Sequence, residues 1–128
     1  MGPGLRIFGM TSLTLLFMCA CSPTPEPPTP EQVSAAENAR PTDPELSKIY
    51  QRSCISCHTV PASTAPLAGL EAAWKPRLQQ GMPTLVQHAK NGYKAMPPKG
   101  LCSDCSDLDL QKLIEFMAAP RPPMKDKA

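Results

Sequence analysis

The pentapeptide Cys54-Ile55-Ser56-Cys57-His58 constrains this 128-residue chain more than any other stretch. Cys54 and Cys57 are three positions apart, a spacing at which each thiol can form a thioether with one vinyl group of the same porphyrin. The imidazole of His58, one residue further on, can then reach the iron from the face where the chain is tethered. The motif therefore predicts covalent attachment of a c-type haem, with His58 as one axial ligand.

The composition predicts one small domain that depends on a cofactor. Only 5% of the residues are aromatic, so an unaided core would be thin. Small domains in that position usually need a covalent or cofactor staple. The 17 prolines are unevenly spread, which predicts Pro-rich segments around a compact middle. The formal net charge of +2 is too small to indicate a nucleic-acid-binding protein.

The amino terminus has the pattern of an export signal. Arg6 gives the first residues a positive charge, and residues 7–20 form an apolar run of 14. That run is shorter than the roughly 20 residues that a membrane-spanning helix needs. Ala20-Cys21 closes the run and resembles the lipobox of bacterial lipoproteins, in which Cys21 becomes the acylated first residue; cleavage without lipidation stays open. We therefore expect a periplasmic protein with a lipid anchor in a bacterial membrane.

The chain divides into four predicted segments. Five prolines in residues 22–30, and no apolar periodicity in residues 31–40, predict a disordered spacer before the folded domain. The segments are 1–20 (signal peptide), 21–41 (Pro-rich linker), 42–119 (folded domain) and 120–128 (flexible tail).

Helices are predicted at four places in the folded domain. The first begins near Pro44, with Thr42 as N-cap and Glu45 as its reciprocal partner, and leads into the haem-binding motif. Ser106 and Asp109 form a similar capping box before the last helix. The others are predicted over residues 71–80 and 83–91, and the last over 107–119, where the apolar face is Leu110, Leu113, Ile114 and Met117.

Met96 is the predicted second axial ligand. It is followed by two prolines, which limit how far its loop can relax. It also lies 38 residues after His58, far enough for the chain to reach the other face of the haem. Met82 and Met117 are rival thioethers, and His88, the only other histidine, would instead give two imidazole ligands.

Two further features have alternative interpretations. Trp74 is either a packing residue or an indole whose N–H donates to a haem propionate. Cys102 and Cys105 form a second C-x-x-C pair, which an exported protein can keep as a disulfide.

Residues 75–101 contain five basic side chains and no Asp or Glu. If these side chains surround an exposed haem edge, acidic redox partners would be steered there. The alternative is a set of solvated side chains that face several directions. The five are Lys75, Arg77, Lys90, Lys94 and Lys99.

Several motifs in this order resemble the cytochrome c5 family of bacterial monohaem class I cytochromes c. The resemblance covers about residues 44–117. The motifs are Cys54-x-x-Cys57-His58, Trp74, Gly81-Met82, Ala95-Met96-Pro97-Pro98-Lys99-Gly100 and Cys102-x-x-Cys105-Ser106-Asp107.

This resemblance implies an all-α fold in which three to five short helices wrap around one covalent haem c. It implies His58 and Met96 as the axial ligands and a disulfide between Cys102 and Cys105. The carbonyl of Pro66 is then the expected acceptor for the second ring nitrogen of His58, because a metal-bound imidazole is normally oriented through its other N–H.

The expected function is outer-sphere electron transfer between redox proteins, because two axial side chains leave no iron position for a substrate. An enzymatic alternative is a haem peroxidase or gas sensor in which Met96 leaves the iron. A structural alternative is a lipoprotein with a zinc site or disulfide staples. The zinc site would use the thiolates of Cys54, Cys57, Cys102 and Cys105.

Overall fold

The computed structural model describes residues 1–2 and 26–122. Over these residues the fold is all-α, as predicted, with six α-helices and no β-strand beyond one isolated bridge. The number of helices is one more than the three to five expected. The helices are α1 (Pro30–Asn38), α2 (Pro44–Ser53), α3 (Ile55–His58), α4 (Glu71–Leu78), α5 (Met82–Asn91) and α6 (Asp107–Ala118), with 3₁₀ turns at Pro61–Ser63 and Pro98–Leu101.

The linker differs from the prediction, because nine of its residues form α1. Thr29 and Gln32 make a capping box in which each side chain accepts from the other's backbone N–H, at 3.3 and 2.9 Å. Pro30 suits the first turn, where its missing N–H has no helical partner to lose. Ala36 is fully buried and Val33 packs against the core. Apart from Val33 the buried residues of α1 are the alanines Ala35 and Ala36, so the contact face leaves no strong apolar periodicity in the sequence.

Asp43, and not the predicted Thr42, caps α2. Its carboxylate accepts hydrogen bonds from the backbone N–H groups of Glu45 at 2.9 Å and Leu46 at 3.1 Å. A carboxylate at this position satisfies two free N–H groups and also opposes the positive end of the helix dipole, which a threonine hydroxyl does less well. The spacing of Thr42 and Glu45 matched a capping box, but the charged neighbour is the better acceptor.

Helix α6 is the central packing element for three other helices, since it contacts α2, α4 and α5. It begins at the predicted capping box, where Ser106 Oγ accepts from the Asp109 N–H at 3.2 Å. On α2, Tyr50 is fully buried and its ring meets the Phe116 ring edge-on at 5.0 Å between centroids. The predicted apolar face of α6 is buried at all four positions, which are Leu110, Leu113, Ile114 and Met117.

The segment after α6 folds back on the domain where a flexible tail was expected. The Arg121 N–H donates to the Gly69 carbonyl at 3.2 Å, and the guanidinium lies over the Phe116 ring at 4.3 Å. Gly69 has a φ of +82°, and a Cβ there would lie within 3.0 Å of the Arg121 side chain. Residues 120–122 are therefore part of the folded unit. The predicted signal peptide from residue 3 onward, Cys21 and residues 123–128 lie outside the described residues.

Candidate functional site

A cavity of about 230 Å³ lies between α3, α5, α6 and the loop that precedes α6. Cys54, Cys57 and His58 line it, and so does Met96, which is far from them in sequence. The structure therefore brings the predicted attachment residues and the predicted distal methionine to one space. Apolar residues of α5 and α6 complete the wall, among them Leu85, Ala89, Leu110, Leu113, Ile114 and Met117.

The two thiols lie on a single helical turn. Cys54 is at the junction of α2 and α3, and the backbone N–H of His58 donates to its carbonyl at 3.0 Å. Both thiols are free; Cys54 is buried and Cys57 is exposed. Burial raises the pKa of Cys54 to about 11, so this thiol is protonated at neutral pH. Both sulfurs are thus available for thioether formation at the edge of the cavity.

The His58 ring is held by the loop that follows it. Its Nδ1 lies 2.9 Å from the carbonyl oxygen of Pro66, which is the acceptor that the resemblance implied. Because a carbonyl can only accept, Nδ1 carries the proton and Nε2 keeps its lone pair for a metal. Burial lowers the pKa of His58, which keeps the imidazole neutral. Both effects favour a ring that can bind iron.

Trp74 anchors the same loop through its indole. The Nε1–H donates to the carbonyl of Leu67 at 2.9 Å, and the indole ring stacks near the His58 ring at 6.0 Å between centroids. Trp74 is 4% exposed and lines the cavity. The indole N–H is therefore engaged by the protein itself, so the alternative in which it donates to a propionate is not the arrangement in this structure.

Met96 lies in a loop that is closed by backbone hydrogen bonds. Tyr93 and Met96 exchange two N–H···O=C bonds of 3.0 Å each, which form the isolated bridge. Gly100 follows with a φ of +58°, and a Cβ at this glycine would lie 3.4 Å from the Met96 methyl carbon. Glycine at this position leaves the room in which the Met96 side chain lies.

The rival ligands occupy different places. Met82 packs against the core and is not among the residues that line the cavity. Met117 lines the cavity from α6, where it belongs to the buried apolar face. His88 also lines the cavity, and its ring stacks on the Tyr93 ring at 4.0 Å between centroids. Of the three methionines, only Met96 lies in a loop with its own backbone bridge.

The second cysteine pair stands apart from the first. Cys102 and Cys105 have their sulfur atoms at bonding distance and their Cα atoms 5.4 Å apart. In the part of the chain that the structure describes, no three Cys, His, Asp or Glu side chains converge as metal ligands do. The four cysteines therefore do not form the thiolate cluster that a zinc site requires.

The charged side chains that line the cavity are all basic. Arg77, Lys94 and Lys99 line it, and no Asp or Glu does so among the described residues. Lys90 pairs with Asp107 at 2.9 Å instead. Three of the five basic residues picked out from the sequence thus line the same cavity, where the Lys99 ammonium donates to the carbonyls of Ser103 at 3.2 Å and Cys105 at 2.7 Å.

Sequence reasoning missed the roles of Tyr93 and Gly100. Tyr93 both bridges to Met96 and stacks on His88. A signal was present for Gly100, because a glycine after two prolines and a lysine is typical of a tight turn. No comparable signal marked Tyr93, since its partners are defined by the folded loop.

The residues present fit a covalently attached haem. Free thiols, a neutral imidazole and a thioether line one largely apolar cavity, which suits an apolar macrocycle with a metal at its centre. The fold and this donor set define the class as monohaem class I cytochromes c.

Comparison with known proteins supports the assignment to cytochromes c. A family model described as "Cytochrome C oxidase, cbb3-type, subunit III" matches residues 41–117. Cytochrome c5 of Ectopseudomonas mendocina is 40% identical over 87 residues, which cover 66% of this chain and 95% of that protein. Cytochrome c-555 of Chlorobaculum tepidum is 39% identical over 72 residues, 53% of this chain and 67% of that protein.

Solved structures give the same result. A mono-haem ferrocytochrome c from Shewanella putrefaciens aligns with a TM-score of 0.53 at 40% identity, covering 65% of this chain and all of that one. A structure of an electron transfer complex of nitrite reductase with cytochrome c aligns with a TM-score of 0.52 at 33% identity, covering 59% and 93%. The chain belongs to the cytochrome c family that the matching model represents, and within it to the cytochrome c5 proteins. It is an electron carrier with one covalent haem c, and not an enzyme.

None of the helices in the described residues is long and apolar enough to cross a membrane.

Trp74 provides a test of how the loop after His58 is held. We expect Trp74→Phe to lower the free energy of unfolding by about 1–3 kcal/mol, because the buried Leu67 carbonyl loses its donor. Urea unfolding of the holoprotein measures the loss. The reduction potential should change little, because the Pro66 contact of His58 remains. A large shift in potential with unchanged stability would favour the propionate interpretation instead.

Proposed function

We propose that this electron carrier works in a bacterial periplasm, with His58 and Met96 as axial ligands and a lipid on Cys21 as its anchor. The observation that carries the proposal is the cavity lined by both the C-x-x-C-H motif and Met96.

Axial ligation by His58 and Met96 is supported by how each side chain is held. The Pro66 carbonyl orients the imidazole, and the Tyr93 bridge together with the following prolines restrains the methionine loop. When bound, the haem supplies one-electron oxidation and reduction of its iron. A thioether ligand favours the reduced iron more than a second imidazole does, so we expect a comparatively high potential.

The peroxidase and gas-sensor alternatives require Met96 to withdraw from the cavity. Two backbone hydrogen bonds and two prolines oppose that movement. The curated relatives are named cytochrome c5 and cytochrome c-555, names that belong to carriers. The carrier is therefore the favoured function.

The proposed partners are redox proteins with acidic docking faces. One solved relative is a cytochrome c in an electron transfer complex with nitrite reductase, which supports a protein partner. The three cations at the cavity, with no carboxylate among the described lining residues, support an acidic one.

The proposed anchor rests on Ala20-Cys21 at the end of the apolar run. If Cys21 carries the lipid, residues 22–29 separate it from α1. Eight residues span at most about 30 Å when fully extended, so the domain would stay close to the membrane surface.

The second cysteine pair, Cys102 and Cys105, is proposed to be a disulfide, since an exported protein meets oxidising conditions.

Two variants of Met96 test whether it is the second axial ligand. We expect Met96→Ala to abolish the weak absorbance band near the red end of the oxidised spectrum, because that band reports a bond from methionine sulfur to iron. Met96→His should lower the reduction potential by on the order of 0.1–0.3 V, within the range of about 0.8 V that axial ligands span. Optical spectra and a redox titration measure both effects.

Met82→Leu and Met117→Leu are the controls, because leucine keeps the apolar volume of each site. Both should keep the band. A band that survives in Met96→Ala and disappears in one of these variants would identify a different ligand.

Electrostatic steering predicts a salt-dependent rate. Reduced flavodoxin, a small flavin-containing redox protein with an acidic surface, is a suitable donor. We expect its rate constant with the oxidised holoprotein to fall about tenfold as the ionic strength rises from about 0.01 to 0.5 M, measured by stopped flow.

A charge-matched pair of variants locates the effect. Lys94→Gln removes a cation that lines the cavity, whereas Lys48→Gln removes one that pairs with Glu45 at 2.7 Å elsewhere on the surface. The first should weaken the salt dependence and the second should not. Equal rates at low and high salt in the unmodified protein would contradict steering.

Lipidation is tested by metabolic labelling with a fatty acid. We expect the full-length chain to take up the label and Cys21→Ser to lose it, because serine has no thiol for the thioether-linked lipid. Absence of label from the unmodified chain would remove the proposed anchor and leave the carrier function untouched.

A further inference from the structure

Leu101 is a large apolar side chain that the fold exposes. It is 79% exposed, the most of any leucine among the described residues, although it lines the rim of the cavity. Scattered exposed leucines are common on protein surfaces and need no explanation alone. The position at the rim and the backbone beneath it set this leucine apart.

The backbone of Leu101 lies in a region that leucine avoids. Its φ is +68°, at the end of three consecutive residues with positive φ, after Lys99 at +55° and Gly100 at +58°. In an L-residue, positive φ values bring Cβ close to the carbonyl oxygen, and residues with bulky side chains rarely adopt them. Strained backbone of this kind clusters at functional sites. Glycine would adopt the same conformation without strain, so the folded protein is less stable with leucine at this position than it would be with glycine.

The surroundings of Leu101 indicate what would contact it. Tyr93, an aromatic side chain that is 44% exposed, also lines the cavity, and the Lys94 ammonium lies 5.4 Å from the centroid of its ring. Lys99 and Arg77 also line the cavity, and among the described lining residues there is no carboxylate. The rim thus combines an apolar projection with cations, which is complementary to a surface with an apolar centre and an acidic border.

We propose that Leu101 is a contact residue for the redox partner, a protein whose docking face has an apolar centre bordered by acidic groups. The proposal rests on the proposed function of protein-to-protein electron transfer and adds the residue that the partner touches. Leu101 packs into the partner when the two surfaces meet, while the cations steer the approach. The strained conformation keeps the side chain directed outward between encounters.

Two substitutions at Leu101 separate contact from strain. Leu101→Ala removes the apolar projection and keeps a Cβ in the strained conformation, whereas Leu101→Gly removes both. The matched control is Leu108→Ala, since Leu108 is 57% exposed on α6 and does not line the cavity. All variants are measured as holoproteins.

Electron transfer is measured with two donors that share one reactive group, namely reduced flavodoxin and free reduced flavin mononucleotide. We expect Leu101→Ala and Leu101→Gly to react with flavodoxin about fivefold more slowly than the unmodified protein, because the protein contact is lost. With free flavin, which needs no docking face, both should stay within about twofold. Leu108→Ala should match the unmodified protein with both donors.

Leu101→Gly should be more stable than Leu101→Ala, although both variants react more slowly with flavodoxin. Leu101→Gly should raise the folded-to-unfolded ratio about threefold over Leu101→Ala, because glycine relieves the positive φ. Urea unfolding of the holoproteins measures this ratio.

Unchanged flavodoxin rates in both Leu101 variants would overturn the proposal, as would equal slowing with free flavin. If instead the unmodified holoprotein accepted electrons from neither donor, the proposed function itself would fail.

Discussion

The hydrogen bond between His58 Nδ1 and the Pro66 carbonyl is the contact on which the rest of the site depends. It fixes the tautomer that leaves Nε2 free for iron, and it is strengthened by burial of the ring. The same short loop is tied to two helices: Leu67 accepts from the indole of α4 at 2.9 Å, and the Gly69 N–H donates to the last turn of α6 at 2.7 Å. Orientation of the imidazole is thereby coupled to the packing of the whole domain.

Features set by neighbouring residues were predictable from the sequence. Cys54 and His58 share one helical turn, and Ser106 and Asp109 are three residues apart, so their relations follow from helix geometry. The four buried positions of α6 follow from its 3.6-residue period. The two prolines after Met96 and its distance along the chain from the first motif predict it as the second axial ligand, and it lines the same cavity as that motif.

Features set by contacts between distant segments were not predictable in this way. Helix α1 is stabilised by burial of Ala36, a small residue that gives little periodic signal. The indole of Trp74 has several possible acceptors in sequence, and only the folded loop brings the Leu67 carbonyl to it. The positive φ of Leu101 also has no signal in the sequence, because leucine rarely adopts it. In each case the tertiary environment outweighs the local preference.

Covalent attachment of the haem to Cys54 and Cys57 is tested most directly on the purified protein, expressed together with a haem-ligation system. The measurement is acid-acetone extraction followed by a haem stain of a denaturing gel, with a reduced-minus-oxidised spectrum before extraction. The account predicts a c-type spectrum and a stain that stays at the mass of the polypeptide, because thioether bonds survive acid and detergent. A colourless protein, or pigment that leaves with the solvent, would contradict it.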